Sequence, residues 1–370
     1  MKILFVHRKG VFDFEGGEQD QVRYTRAALE KLGVQVDIVE TLPKSLLPYD
    51  LIHYFGLDVC HIDEIIHAGS IPKALTPIFW DRAQGYLMDY FVDQWPQPGH
   101  EMRDKLVYLF RKYTGLQYRR IALTTLSHFH KGLGDFGRFQ QVINDIDMFL
   151  PNSKAEMQML STFYVIDNPN KHHIIPNAID IGHIDEISDY AERNLPTQTP
   201  FVLCSGGIDR RKNQYSLVKA LLDVDVPIVF AGCMRELRYF QPTQRLASLR
   251  KRTLFLGHLD KPDLYSVYKA ANVHALPSFH DTPGIANLEA VAHQCVNVST
   301  QIGGLREYLG DFSLYCNPFS IDHIREQVLK ALDMPPNIKG AQLVRANYTY
   351  EKAAQLTLAA YQSICGESLR

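Results

Sequence analysis

The sequence predicts an α/β fold of two doubly wound units facing a cleft, on three observations. Short apolar runs alternate with amphipathic stretches, as in a parallel sheet covered by helices. The alternation breaks over a polar, proline-bearing stretch and then restarts. Helix-breaking turns rich in glycine or charge follow strand-like runs in both halves, where ligands of such sheets bind. At 370 residues the chain is too long for one ordinary core and about right for two.

In chain order, "KILFV" reads as the first strand, followed by a helical period from Glu18 to Lys31. "VQVDIV", "DLIHYF" and "LTPIFW" read as further strands. The rhythm pauses across residues 85–146 and resumes with "MFLPNSKAEMQMLSTFY" and "HHIIPNAID". The loss of apolar period and the two prolines from Leu195 to Pro200 set the expected boundary, giving units of residues 1–195 and 196–349. Beyond it "FVLCSGG", "VPIVFAG", "TLFLGHL", "VHALPS", "CVNVST" and "SLYC" alternate with helix-period segments as a second such unit. No fixed short repeat or heptad run occurs, which sets aside solenoids and coiled coils.

Composition narrows the class. A hydrophobic content of 46% with 22% charged residues is that of a soluble globular protein, and 19 Phe with 19 Tyr supply packing bulk. A formal net charge of -2 gives no global field toward nucleic acid or anionic membrane, and no nucleic-acid partner is expected. Cys60, Cys204, Cys233, Cys295, Cys316 and Cys365 form no CxxC pair and read as buried thiols in a reducing compartment. The first apolar run is too short for a signal peptide, and no run approaches the roughly 20 residues of a membrane span. A cytoplasmic location is the expectation.

Three turns carry chemistry. "EGGEQDQV" follows the first strand and opens a helix, so Gly16 and Gly17 can present bare backbone N–H groups to an anion or a substrate hydroxyl; a plain glycine turn is the alternative. It lacks the GxGxxG spacing of a dinucleotide site. "SGGIDRRKNQ" places Gly206 and Gly207 beside Arg210, Arg211 and Lys212 at another strand-to-helix turn. Cations and free N–H groups converging there suit a pyrophosphate, a solvated basic turn being the alternative. In "HDTPGIANLEA", Ile285, Leu288, Ala292 and Cys295 recur at helical spacing, with Pro283 and Gly284 in the first turn. Glu289 can then accept two hydrogen bonds from a ribose diol while the N–H groups ahead of it face a phosphate. Asp281 stands just outside the helix, toward the reacting end or as its N-cap. The pairs His128 with His130 and His172 with His173 lack a third ligand at a metal spacing, and no metal site is read.

Together with "MFLPNSKAEM", "IIPNAID", "FLGHLDKPDLYSVYKAANVHALPS" and "GGLREYL", these segments run in the order of a known family over most of the chain. The chain resembles the retaining glycosyltransferases of GT-B architecture, family 4, also called glycosyl transferases group 1. The resemblance implies two Rossmann-like domains and a nucleotide diphosphate sugar as substrate, with no resident cofactor. It implies that Glu289 holds the nucleotide ribose, that Gly284, Ile285 and Ala286 offer N–H groups to the donor's phosphate and sugar, and that Lys212 meets the diphosphate. It also implies a C-terminal helix, about residues 350–370, crossing back to the first domain.

Three positions depart from the family's pattern. Asp281 replaces the usual glutamate and is shorter by about 1.5 Å. Gly207 stands where an arginine is usual, and Arg211 is favoured over Arg210 to supply that charge. Trp80 and Asp81 stand where a histidine is often found. The reading is transfer of a sugar, with retention, to an unknown glycan, lipid or small-molecule acceptor, with Asp281, Lys212 and Arg211 at the reacting end. A sugar-nucleotide epimerase of the same fold and an inactive nucleotide-sugar-binding module are the alternatives. Residues 101–131, rich in Arg and Lys with interleaved Tyr, are either a peripheral membrane contact or a solvated helical face.

Overall fold

A computed structural model of the chain describes residues 1–8, 10, 16–57, 65, 68–80, 133–168, 171–195 and 199–367. The basic stretch 101–131, Asp81, His128, His130 and Cys60 lie outside them.

Two parallel sheets form the framework. In the first, β1 (Lys2–His7), β2 (Gln35–Val39), β3 (Leu51–Phe55), β4 (Lys73–Thr76) and β5 (Met148–Phe149) lie in the order β2-β1-β3-β4-β5. In the second, β6 (Val202–Ser205), β7 (Ile228–Ala231), β8 (Thr253–Phe255), β9 (Val273–Leu276), β10 (Val296–Thr300) and β11 (Leu314–Cys316) lie in the order β11-β10-β9-β6-β7-β8. Every strand pairing among the described residues is parallel. The central strands β1, β3, β6, β7, β9 and β10 are buried almost throughout, as expected where helices cover both faces, which is why they read as continuous apolar runs. Each sheet reverses its winding once, between β1 and β3 and between β6 and β9. A doubly wound sheet opens its ligand crevice beyond the strand ends at that reversal.

"LTPIFW" yields strand only as far as Thr76, because Pro77 has no N–H to continue the ladder. Ile78 then takes a φ of 46°, a strained value for a β-branched residue, and turns the chain toward Trp80.

The helix Tyr350–Glu367 lies on the helix Gly17–Lys31 and shares the first sheet's core through Tyr350, Ala353, Ala354, Ala360, Tyr361 and Ile364. The Tyr361 hydroxyl lies 2.6 Å from Nδ1 of His53 on β3, and burial pushes that imidazole down to about 3. The main chain changes cores earlier than the Leu195–Pro200 stretch anticipated. Ala178 belongs to the first sheet's core, whereas Ile179, Ile184, Ala191 and Leu195 belong to the second's. Those four side chains pack into the second core with Tyr265, Tyr268 and Leu288, and Ala191 N–H donates to Ser266 Oγ at 3.1 Å.

Cys204, Cys295 and Cys316 are buried, but Cys233 is exposed and Cys365 partly so. Cys233 departs from the expectation because it sits in the turn after β7 rather than within the strand.

Candidate active site

At the reversal of the second sheet, the turn after β6 meets the turn after β9. The β6 turn closes as a short 3-10 helix, Arg210–Lys212, whose N-cap Asp209 accepts from Lys212 N–H at 3.0 Å. Asn213 follows with φ 60°, and its side-chain amide donates to the carbonyls of Pro277 and Pro318 at 3.0 Å each, fastening this turn to those after β9 and β11. Lys212 is thereby laid across Gly206, whose missing side chain would start 3.8 Å from Lys212 Cε.

Lys212 Nζ donates to Asp281 Oδ2 at 2.8 Å, and Arg211 Nη1 to Asp281 Oδ1 at 3.1 Å. Ser278 Oγ adds a third donor at 3.3 Å. Asp281 is 3% exposed and Lys212 8%. Burial alone would raise the Asp281 carboxyl, but Lys212 and Arg211 outweigh it and hold it at about 2. Burial draws the Lys212 ammonium below its ordinary value against the pull of Asp281. The Asp281 backbone is pinned by its N–H to Ile302 C=O at 3.2 Å, and Gly303, at φ 133°, approaches so closely that a side chain there would overlap the Asp281 carbonyl.

The helix Ile285–Ala292 begins beside this cluster. Its N-cap is Gly284, with no side-chain cap bond, so Asp281 is spent on cations rather than on capping. Gly284 sits at φ 63°, and a Cβ there would stand 2.9 Å from Asp281 Oδ2 and 2.8 Å from Asn287 Nδ2. Gly284, Ile285 and Ala286 are only half-buried, but the Gly284 N–H, expected to face the donor, donates instead to Thr282 C=O at 2.5 Å, which leaves the first-turn N–H groups of Ile285 and Ala286 without intrahelical partners. Leu288, Val291 and Ala292 turn inward to the second core. Glu289 accepts from Lys261 Nζ at 2.6 Å and from the Tyr268 hydroxyl at 3.5 Å. Lys261 also lies 3.4 Å from Asp20 on the helix Gly17–Lys31, linking the two units. Burial works against the Lys261 ammonium, but Glu289, Tyr265 and Asp20 hold it above its usual range.

The first unit closes the other side. A Cβ on Gly17 would lie 3.0 Å from Ile285 Cδ1, and one on Gly16 would lie 3.3 Å from Arg235 Nη2. Both glycines thus let the first helix approach the second unit's turns. Past β4, the Trp80 indole stacks on His280, the neighbour of Asp281, with ring centroids 6.2 Å apart and planes 15° from parallel.

The fold therefore gathers Gly16, Gly17, Gly206, Gly207, Arg211, Lys212, Asp281, Gly284, Ile285 and Ala286 at one place, with Glu289 one turn deeper. Arg210 is directed elsewhere, with Nε 3.1 Å from Glu236 Oε2. Three neighbours were not anticipated. Lys261 and Arg235 reach in from other turns on long side chains that no spacing reveals. Asn287 is fully buried in the first turn, and neither polar atom of its side chain has a hydrogen-bond partner among the described residues. Its place inside "GIANLE" was the available signal. No group of three potential metal-ligating side chains occurs among the described residues, and no helix among them is long and apolar enough to cross a membrane.

Residues 185–352 match the family model described as "Glycosyl transferases group 1". Among curated proteins, the D-inositol 3-phosphate glycosyltransferase of Corynebacterium glutamicum (strain R) is 26% identical over 183 residues, which cover 45% of this chain and 44% of that one. The chain thus matches somewhat under half the length of this relative. Among solved structures, sucrose-phosphate synthase from Thermosynechococcus elongatus superposes with a TM-score of 0.74 at 16% identity, over 99% of this chain and 100% of that one. Anabaena HepE, solved in complex with UDP-glucose, superposes with a TM-score of 0.63 at 16% identity, over 100% of this chain and 99% of that one. These likenesses establish the two-sheet GT-B fold.

Proposed function

We propose that this chain, whose residues 185–352 match the glycosyl transferases group 1 model, is a glycosyltransferase of that group and transfers a sugar from a nucleotide diphosphate sugar to an acceptor, with retention at the anomeric carbon. One observation carries the reading: the buried cluster of Lys212, Arg211 and Asp281 adjoins an uncapped helix start, at the winding reversal of one sheet and opposite the glycine turn of the other.

In this reading the diphosphate lies between Gly206, Lys212 and the N–H groups of Ile285 and Ala286, and the α-carbon of Gly284, free of a side chain, lets it approach. Lys212 and those N–H groups then meet the negative charge that grows on the leaving phosphate as the anomeric C–O bond breaks. The acceptor oxygen attacks the same face and its proton passes to the departing phosphate oxygen. Asp281 keeps Lys212 and Arg211 in place while the site is empty, and contacts the donor sugar when it is filled. Glu289 accepts the ribose hydroxyls. The first unit, with Gly16, Gly17 and Trp80 at the rim, faces the acceptor. A glycan, lipid or small molecule fits this account equally, and the pyrophosphate is met by protein cations without a metal ion.

A thermal-shift screen of UDP, GDP and ADP and their sugars tests this. One base should stabilise the protein clearly, because a ligand at a hundred times its dissociation constant adds about 2.7 kcal/mol. The matching nucleotide sugar, left without acceptor, should release its sugar slowly in the retained anomeric form, followed by NMR. Absence of any nucleotide effect would overturn the reading.

A further inference from the structure

Gly207 is the residue of this site whose environment its own sequence neighbours do not explain. Its φ is not in the left-handed region, so the backbone there does not demand glycine. What excludes a side chain is Arg235, from the turn after β7. The three atoms nearest a Cβ built on Gly207 are all in the Arg235 side chain, with Cδ at 2.6 Å and Cγ at 3.1 Å. The Arg235 stem thus lies across the bare α-carbon of Gly207, and the guanidinium extends on to within 3.3 Å of a Cβ on Gly16.

The backbone holds this course. Arg235 N–H donates to Ile208 C=O at 3.1 Å, and Met234 forms a parallel bridge with Ile208, tying the β7 turn to the β6 turn. Charge sets Arg235 apart from its neighbours. Arg211 is paired with Asp281 and Arg210 lies against Glu236. Arg235 is exposed, and its guanidinium forms no hydrogen bond or ion pair with any described residue. A guanidinium with no partner among the described residues, between two glycine turns and on the rim of a crevice that already holds Lys212, is placed to fork onto a phosphate.

We propose that Arg235 is a diphosphate-binding residue of this site, delivered over Gly207 from the neighbouring strand's turn in place of a cation carried at position 207 itself. This rests on the donor reading above and adds a residue to it. It also gives Gly207 a reason: the side chain is absent so that a different one can cross.

Titration calorimetry with UDP, GDP and ADP, each against its monophosphate, tests the assignment. For the base that binds, Arg235→Ala should weaken the diphosphate about 10- to 100-fold, the range of a lost charged hydrogen bond, while the monophosphate changes less than about threefold. Gly207→Ala should do the same by displacing the Arg235 stem. Gly207→Arg in the Arg235→Ala background should recover most of the affinity, because the new side chain enters the vacated volume. A purely structural role would show no difference between diphosphate and monophosphate and no such recovery. If the unaltered protein binds none of the three diphosphates, the donor reading itself fails. If it binds one and Arg235→Ala binds it equally, only the assignment of Arg235 fails. Loss without recovery in the double variant would overturn the pairing with Gly207.

Discussion

Asp281 Oδ2 lies 2.8 Å from Lys212 Nζ, and both side chains are almost wholly buried. A buried pair of this kind is costly to break from one side, because the remaining charge has no water to turn to. The pair also means that the cation assigned to the diphosphate is already neutralised before any donor arrives.

Asp281→Asn should therefore separate stability, affinity and turnover. Loss of the carboxylate leaves Lys212 and Arg211 uncompensated and should cost about 3–5 kcal/mol of folding stability, measured by urea unfolding. Nucleoside diphosphate affinity should hold or rise, since Lys212 no longer has a competing anion, while turnover falls with the lost sugar contact. Affinity and turnover falling in parallel would show that Asp281 acts only by fixing Lys212.

Glu289 offers a second separation. Replacing it with Gln or Ala should weaken the nucleoside diphosphate by about 1.5–3 kcal/mol, because a charged acceptor of ribose hydroxyls is lost. Lys261→Ala, which removes the ammonium 2.6 Å from the same carboxylate, should leave that affinity within a few-fold. Lys261 is 39% exposed, so its pairs contribute under about 1 kcal/mol to stability. Unchanged affinity in Glu289→Ala would remove the ribose role.

The sequence exposes this site unevenly, for physical reasons. The six strands of the second sheet are legible as apolar runs because most are covered on both faces, and the glycine and basic turns fall at their ends. Asp281 is visible as an acid at a helix start, but not as the partner of Lys212, since 69 residues separate them and only the winding reversal between β6 and β9 brings them together. Lys261 and Arg235 are legible only once the turns are placed, because each acts through a long side chain crossing from another element. The early change of core at Ala178 was masked by the more conspicuous prolines near Leu195, which punctuate the chain without marking where its apolar side chains go.

Asn287 should show a trade between stability and activity. Its amide is buried in the first turn of the helix Ile285–Ala292, with neither polar atom bonded to a described residue. Unsatisfied buried polar groups cost about 1–3 kcal/mol, and Leu has a similar shape without them. Asn287→Leu should raise stability by about 1–2 kcal/mol in urea unfolding and lower turnover. Destabilisation would mean that the amide is satisfied in solution.

Glu156 supplies the pH dependence that bears on the rim of the site. Its two carboxylate oxygens accept from Phe79 N–H at 2.7 Å and Asn152 N–H at 2.6 Å, and the first of these bonds holds the chain just past the strained Ile78, next to Trp80. Burial nevertheless pushes the carboxyl up to about 7, against the pull of those two N–H groups. The folded chain thus keeps a proton that the unfolded chain releases near its ordinary value of 4.5. Stability from this group is fully present below 4.5 and is lost as pH rises toward 7, a change on the order of 3 kcal/mol. Glu156→Gln cannot titrate, so the stability of the unaltered protein relative to the variant should fall across that window and level off above it. Melting temperatures of both proteins at half-unit steps from pH 4 to about 8 give that difference directly. A difference that is flat or rises with pH would show that the two backbone bonds win over burial, and that Glu156 holds Phe79 as a carboxylate throughout.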